Sequence, residues 1–332
     1  MFYKTPKLKS GVIIGQFMPP HAGHVYLLEF ARNLVDDLTL IIDPGSVETP
    51  PPRFSTELRG EWLRELVSRA EIKCLSESFC DQKGAVRAGA ISEASRLLGG
   101  KPDIVFGGNE SSLEFAAQIQ ATYVPIDTSI VPVKSADLLS KPLANWERIP
   151  RCVRPHFVKR VCIFGPESTG KSTLSKNLAK HYQTVAVPEY ARVFLDSRDN
   201  ILELEEFKFY ARGQLASEDA LARSANRVLF CDTDALTTLM WSEWLYKEQD
   251  PWIVALAEQR NYDLYLLTDV DVPWVFDPQR YLPEERKPFH DYCKAILEKY
   301  SRRYAEVKGS WDERFESAVR AVDTIMLERS EL

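Results

Sequence analysis

No stretch of the 332 residues approaches the ~20 consecutive apolar positions that a bilayer-spanning helix needs, which excludes a transmembrane segment. No two cysteines are spaced C-x-x-C. Cys74, Cys80, Cys152, Cys162, Cys231 and Cys293 are scattered along the chain. That excludes a metal ribbon or a disulfide framework and leaves reduced, mostly buried thiols, as expected of a cytoplasmic protein. Positive charge is not in excess either, with 42 Lys and Arg against 48 Asp and Glu. The net charge of −6 argues against a broad nucleic-acid-binding surface, though not against a local basic pocket for a nucleotide. Internal repeats and low-complexity tails are absent. The N-terminal Met1-Phe-Tyr-Lys-Thr-Pro-Lys7 moves straight into a strand pattern, so no signal peptide is expected.

What is present is an ordinary globular composition, 45% apolar and 27% charged, in a chain too long for one core. Single cores rarely grow past ~250–300 residues, so two domains are expected, 1–150 and 151–332. In the first, strand patterns at 11–17, 38–43, 72–75, 103–107 and 122–126 alternate with helical patterns at 24–34, 56–70, 85–98 and 111–120. That alternation predicts an α/β fold with a parallel, doubly wound sheet. The run Pro50-Pro51-Pro52 reads as a loop over the strand ends, where ligands sit in such folds. Residues 131–155 are short and proline-punctuated, and read as a small helical appendage leading into a linker. A second α/β unit, also with a doubly wound parallel sheet, then begins with a strand at 158–164. Later strands are predicted at 184–188, 227–231, 263–267 and 304–307.

The second unit opens on a P-loop. Gly165 is followed by four residues and then Gly170, Lys171 and Ser172, between an apolar strand and a helical pattern at 173–182 with Leu174, Leu178 and His181 on one face. A glycine-rich turn into a helix presents backbone N–H groups to phosphates. Gly165, Glu167, Ser168, Thr169, Gly170, Lys171, Ser172 and Thr173 are therefore read as binding ATP. Lys171 reaches the β- and γ-phosphates and the Ser172 hydroxyl ligates Mg²⁺. Asp232 and Asp234 end a later apolar strand, where P-loop enzymes place a Mg²⁺ ligand or a base for the incoming hydroxyl. Asp232 is read as the metal-side, catalytic carboxylate and Asp234 as a substrate contact. The polar, proline-rich stretch 271–280 suits a lid. Its Arg280, with Arg286, would neutralise the transferring phosphoryl group. Residues 307–314 read as strand, turn and helix start.

The first strand carries its own motif, Gly15-Gln-Phe17-Met-Pro19-Pro-His21-Ala-Gly23-His24. Two imidazoles a helical turn apart face one side, Gly23 lets a phosphate approach, and the helix dipole adds positive potential. Such a site suits charge developing on an α-phosphate during nucleotidyl transfer. No carboxylate or cysteine is spaced to complete a metal set with the two histidines.

Both motifs in this order resemble the NadR-like family of bifunctional bacterial NAD-salvage proteins. The resemblance covers nearly the whole chain, including the bridge from Pro142 through Trp146, Ile149, Arg154 and Phe157 to Val161. It implies a Rossmann-like nucleotidyltransferase domain with NMN adenylyltransferase activity and a P-loop domain with ribosylnicotinamide kinase activity. The implied small molecules are ATP, nicotinamide riboside and NMN, with Mg²⁺, and a homo-oligomer is possible. Some members begin with a helix-turn-helix domain. This chain begins at the nucleotidyltransferase strand, so no DNA binding is expected. The resemblance assigns Gly15 and Phe17 to ATP, and His21 and His24 to the transferring adenylyl group. It assigns Glu189, Tyr190 and Arg192 to the ribose of the acceptor, against the plainer reading of Glu189 and Arg192 as a surface ion pair. Trp274 suits stacking on the cationic nicotinamide ring or simple packing. In one respect the chain departs from the family. The superfamily's later phosphate-holding Arg aligns with Leu139, and Lys134, Ser135 or Lys141 are the only nearby substitutes. Lysine lacks the bidentate fork of arginine. A lost charge-assisted contact costs about 1.5–3 kcal/mol. Two alternatives therefore stand: a non-catalytic nucleotide sensor in the first half, or a kinase acting on another nucleoside.

Overall fold

The computed structural model describes residues 8–45, 54–198 and 203–328, so the triple-proline run at 50–52 lies outside the described residues. The chain divides into two compact units, the first ending at Val153 and the second running over Arg154–Glu328.

The first unit alternates strictly: β1 (Leu8–Gly15), α1 (Ala22–Leu34), β2 (Val35–Ile42), α2 (Thr56–Leu66), β3 (Glu71–Cys74), α3 (Ala88–Leu98), β4 (Ile104–Gly107), α4 (Glu110–Gln118), β5 (Thr122–Pro125) and the short α5 (Ser135–Ser140). Its strands form one parallel sheet in the order β3-β2-β1-β4-β5. Strand side chains alternate between faces, and both faces are covered. Ile13, Leu40, Ile42 and Phe106 pack on Leu28 and Ala31 of α1 and Leu63 of α2. Val12, Ile41 and Val105 pack on Ala90 and Ala94 of α3 and Phe115 of α4. β2 starts three residues before the predicted Leu38 because the exposed Asp36 and Asp37 hide its first turn of the pleat in a polar pair. The appendage at 131–155 holds α5 and 3₁₀ turns at Trp146–Arg148 and Arg154–His156.

The second unit comprises β6 (Lys159–Phe164), α6 (Lys171–His181), β7 (Ala186–Val187), α7 (Tyr190–Asp196), α8 (Phe207–Ala222), β8 (Val228–Asp232), α9 (Ala235–Tyr246), α10 (Pro251–Gln259), β9 (Leu264–Thr268), α11 (Arg286–Lys299), β10 (Tyr304–Val307) and α12 (Trp311–Leu327). Its parallel sheet runs β10-β9-β6-β8-β7. Val161, Ile163, Phe230, Leu264 and Leu266 pack against Leu174 and Leu178 of α6 and Ala318, Val322 and Ile325 of α12. In both sheets strand order reverses at the first strand of the unit, which opens a crevice beyond the carboxyl ends. Register then decides what meets there. Ile163 pairs with Asp232 and Phe164 with Leu267, so the P-loop, Asp232 and the start of the 269–285 loop share one edge.

Helix α8 carries a glycine whose position is dictated by packing. A Cβ on Gly213 would stand 2.0 Å from the Tyr190 ring of α7. Alanine favours a helix interior by roughly 0.8–1 kcal/mol over glycine, but overpacking costs typically 1–3 kcal/mol. Gly213→Ala is therefore expected to destabilise the unit and displace Tyr190. Urea unfolding checks this, and a stabilised variant would contradict the packing argument.

Candidate active sites

The P-loop turn is built by left-handed backbone at Gly165, Ser168 and Gly170. Gly170 also lies under the Trp311 ring, which a Cβ there would approach to 2.5 Å. Lys171 arches back over the turn, its Nζ donating to the carbonyls of Gly165 (3.0 Å) and Pro166 (2.7 Å). Beneath, the Thr169 and Thr268 hydroxyls meet at 2.7 Å and tie the turn to the end of β9. Asp232 is 2% exposed, and among the described residues its Oδ1 has no hydrogen-bond partner. Burial raises its carboxyl above the usual range, against the pull of Lys171 and a hydrogen bond from the Ser172 hydroxyl. A buried carboxylate oxygen without a partner beside a serine hydroxyl is a hard-oxygen pair of the kind Mg²⁺ accepts. Among the described residues no group of three or more His, Cys, Asp and Glu could hold a metal. Such an ion would complete its shell with phosphate oxygens and water.

A cavity opens from this loop. Its walls include Glu167, Lys171 and Ser172, then Glu189 and Arg192, and on the far side Tyr210, Gln214, Thr237, Thr238 and Trp241. Glu189 lies at the start of α7, and burial lifts its carboxyl to about 7. The Asp232 carboxylate pushes the same way, and Lys171 and Arg192 oppose it. Arg192 does not pair with Glu189. Its Nη1 reaches Asp277 at 2.9 Å, so the surface pair considered from sequence is replaced by a bond across the cavity mouth. Trp241 is backed by Phe289, ring centroids 4.7 Å apart. A second hollow, sharing Thr173 with the first, lies between α6 and α12 and is lined by Leu174, Asn177, Lys180, Trp311 and Phe315.

Three expected contacts lie elsewhere. Asp234, read as a substrate contact, is the N-cap of α9. Its Oδ1 accepts from the Thr237 amide (2.9 Å) and its Oδ2 from the Tyr265 hydroxyl (2.8 Å), which uses both oxygens within the fold. Trp274 does not line the cavity, and its ring instead carries the Arg286 guanidinium at 5.7 Å. Arg286 itself bonds to the carbonyls of Val272 (2.9 Å) and Ser168 (3.4 Å), so it braces the loop rather than facing the cavity. Arg280 does line the cavity, with its Nη1 3.4 Å from Ser168 Oγ. In the 307–314 stretch, Arg314 is 2% exposed, pairs with Asp271 and donates to the carbonyls of Thr169 (2.8 Å) and Asp269 (2.7 Å).

The first unit has a hollow of its own at the β1/β4 reversal, lined by Gly15, Phe17, His21, Gly23, His24, Gly107, Asn109, Ser112, Thr128 and Val131. His21 is the N-cap of α1 rather than part of it, and the two histidines cap reciprocally. His24 N–H donates to His21 Nδ1 and His21 N–H to His24 Nδ1, each at 3.3 Å. The rings stack with centroids 3.8 Å apart. Burial lowers His21 to about 4 and His24 to about 3, so both are neutral near pH 7. Because each Nδ1 accepts, the proton of each neutral ring sits on Nε2, leaving two N–H donors. Buried Arg59, which the sequence reading passed over, holds the loops after β1 and β2 through the carbonyls of Gln16 (2.6 Å) and Asp43 (2.9 Å). Leu139 lies in α5, flanked by exposed Lys134 and Lys141, and Ser135 Oγ donates to the Pro19 carbonyl at 3.4 Å.

Fold and sites together define a two-domain α/β transferase, a nucleotidyltransferase-like unit followed by a P-loop kinase-like unit. A cytidylyltransferase-like family matches residues 12–163 and an AAA domain family residues 160–314. The trifunctional NAD biosynthesis/regulator protein NadR of Escherichia coli is 28% identical over 353 residues, covering 98% of this chain and 86% of that protein. Its counterpart from Salmonella typhimurium is 29% identical, covering 96% and 84%. A crystal structure of NadR protein in complex with NR matches at a TM-score of 0.80 with 22% identity, covering 99% of this chain and 100% of that one. A NadR structure in complex with NAD and AMP-PNP matches at 0.75, again with 22% identity. The chain is similar in sequence to these NadR proteins over nearly its whole length.

Proposed function

We propose that the second unit transfers the γ-phosphoryl group of ATP to the 5′-hydroxyl of nicotinamide riboside, giving NMN. The first unit joins NMN to the adenylyl group of ATP, giving NAD and pyrophosphate. The observation that carries the kinase reading is the run of Lys171, Ser172 and Glu189 along one cavity edge, with buried Asp232 behind Ser172 and Glu189, facing the aromatic wall of Tyr210 and Trp241. The P-loop amides and Lys171 hold the triphosphate, and the hollow under Trp311 takes the adenine. Thr173, common to both hollows, marks where the two meet. Ser172 and Asp232 would hold Mg²⁺, which when bound neutralises charge on the phosphate oxygens. Glu189, with a carboxyl near 7, is placed to take the proton of the attacking hydroxyl. Arg280, which lines the cavity, is placed to meet the transferring group, a role that Arg286 does not share.

In the first unit, the Nε2–H groups of His21 and His24 donate to the α-phosphate as charge builds on it, acting as neutral donors rather than cations. Fusing the two units places a producer and a consumer of NMN in one chain. Leu139 favours a second reading, in which the first unit binds NMN or NAD and regulates the kinase without catalysis. One assay separates the two: ATP, Mg²⁺ and nicotinamide riboside, with NMN and NAD followed separately by chromatography. His24→Glu keeps a side-chain acceptor for the helix start, since Glu suits the third helical position, but carries no N–H donor. NAD formation is expected to fall about 10²–10³-fold while NMN formation is unchanged. Wild-type protein that makes NMN but no NAD would show that the first unit is not a competent adenylyltransferase. Failure to make either would refute the acceptor assignment.

A further inference from the structure

The 269–285 loop touches both walls of the kinase cavity. On the donor side, Glu167 Oε2 accepts from the amides of Tyr281 (2.8 Å) and Leu282 (3.1 Å), and Ser168 Oγ from the Val275 amide (2.7 Å). On the acceptor side, Asp277 Oδ2 accepts from Arg192 (2.9 Å), while its Oδ1 accepts from the Gln279 amide (3.0 Å). The Gln279 side chain adds a bond to Asp196 Oδ1 (2.6 Å) at the end of α7. The loop's first residues are fixed by Asp271, which pairs with the buried Arg314. Asp277 and Arg280 lie within one turn, the Arg280 amide donating to the Asp277 carbonyl at 3.0 Å.

From this we infer that Asp277 is a positioning residue that couples the two substrate sites of the kinase. It does so by tying Arg192, at the acceptor wall, to the loop that a bound triphosphate displaces. The inference rests on the kinase reading above. A triphosphate on the P-loop competes for Ser168 and for the Arg280 guanidinium, whose present partners are Ser168 Oγ and the Val275 carbonyl. Turning Arg280 toward phosphate pulls on residues 275–281, and Asp277 carries that movement to Arg192. Asp277 touches neither substrate in this arrangement. Its effect passes wholly through Arg192, so it sets how strongly ATP and the acceptor favour each other's binding, not the chemistry itself.

The test measures binding of nicotinamide riboside to the full chain by calorimetry, with and without a non-hydrolysable ATP analogue and Mg²⁺. Wild-type protein is expected to bind the nucleoside about tenfold or more tightly when the analogue is present, within the usual span of coupling between sites. Asp277→Asn should bring that factor to within about twofold of one while leaving affinity for the analogue alone nearly unchanged, and Asp277→Glu should restore it. Full coupling in Asp277→Asn, or none in the wild type, overturns the inference. If nicotinamide riboside does not bind under any condition, the acceptor assignment fails instead. Amide exchange then decides the coupling without it. The analogue alone should slow exchange over residues 192–196 in the wild type but not in Asp277→Asn, and an equal change in both overturns it.

Discussion

Asp232→Asn is expected to lower the kcat for NMN formation about 10²–10³-fold, the scale of removing one preorganised group from a charge-bearing transition state. The same substitution should make the free protein more stable. Asp232 buries a carboxylate with one oxygen unpartnered, and its carboxyl is raised, so the fold disfavours the charged form. An amide of the same shape removes the buried charge, though not the buried polar atom, so the urea midpoint is expected to rise. Activity and stability therefore move in opposite directions. Chromatography of NMN and urea unfolding at pH 7.5, without metal, measure the two. A variant that loses both would make Asp232 a structural residue and remove it from the phosphate site.

Glu189→Gln is the second large effect, expected to cost about 10²–10⁴ in kcat with little change in the KM for ATP. A base acts in its deprotonated form. Wild-type kcat/KM should therefore rise with pH through about 7, the value to which burial lifts this carboxyl, and level off above it. Bound Mg²⁺ and the cationic nucleoside both favour the carboxylate, so the limb in kcat should lie lower. The variant should show neither limb. Stability carries the matching sign. Unfolded glutamate titrates near ~4.3, so the folded state holds the proton to higher pH. Its contribution is present below that value and is lost as pH rises through about 7, a slope that glutamine flattens. An acid limb that persists in Glu189→Gln would place the base elsewhere.

The parallel sheets and the sites that end their strands were legible from sequence because apolar runs and glycine turns report local backbone. β1, β4, β6 and β10 lie within three residues of where the pattern puts them at either end. The P-loop and the histidine motif are short in sequence, so their internal geometry follows from adjacent residues. The cavity beside the P-loop was legible only on its near side. Its far wall comes from α8 and α9, and α9 buries Ala235, Leu236, Thr237, Leu239, Met240 and Ser242 around most of its circumference. A helix without a polar face leaves no stripe to read. Asp234 misled for a related reason. A strand-end carboxylate and a helix N-cap occupy the same place in a βα unit, and only the Tyr265 hydroxyl opposite it decides between them. Trp274 and Arg286 have the composition of ligand contacts, but they satisfy each other. Nothing local distinguishes an arginine that faces a phosphate from one that braces the loop beside it.

The reciprocal cap of His21 and His24 gives the first unit a built-in indivisibility. Each ring nitrogen that closes the helix start belongs to one residue and serves the backbone of the other. Exchange at either position thus perturbs both stacked rings and one secondary-structure boundary at once. Drift through single substitutions meets a barrier there unless the new side chain also accepts from the backbone of the helix start. An adenylyl-transfer site could be retained in this way for the sake of the helix it begins, long after its product had ceased to matter.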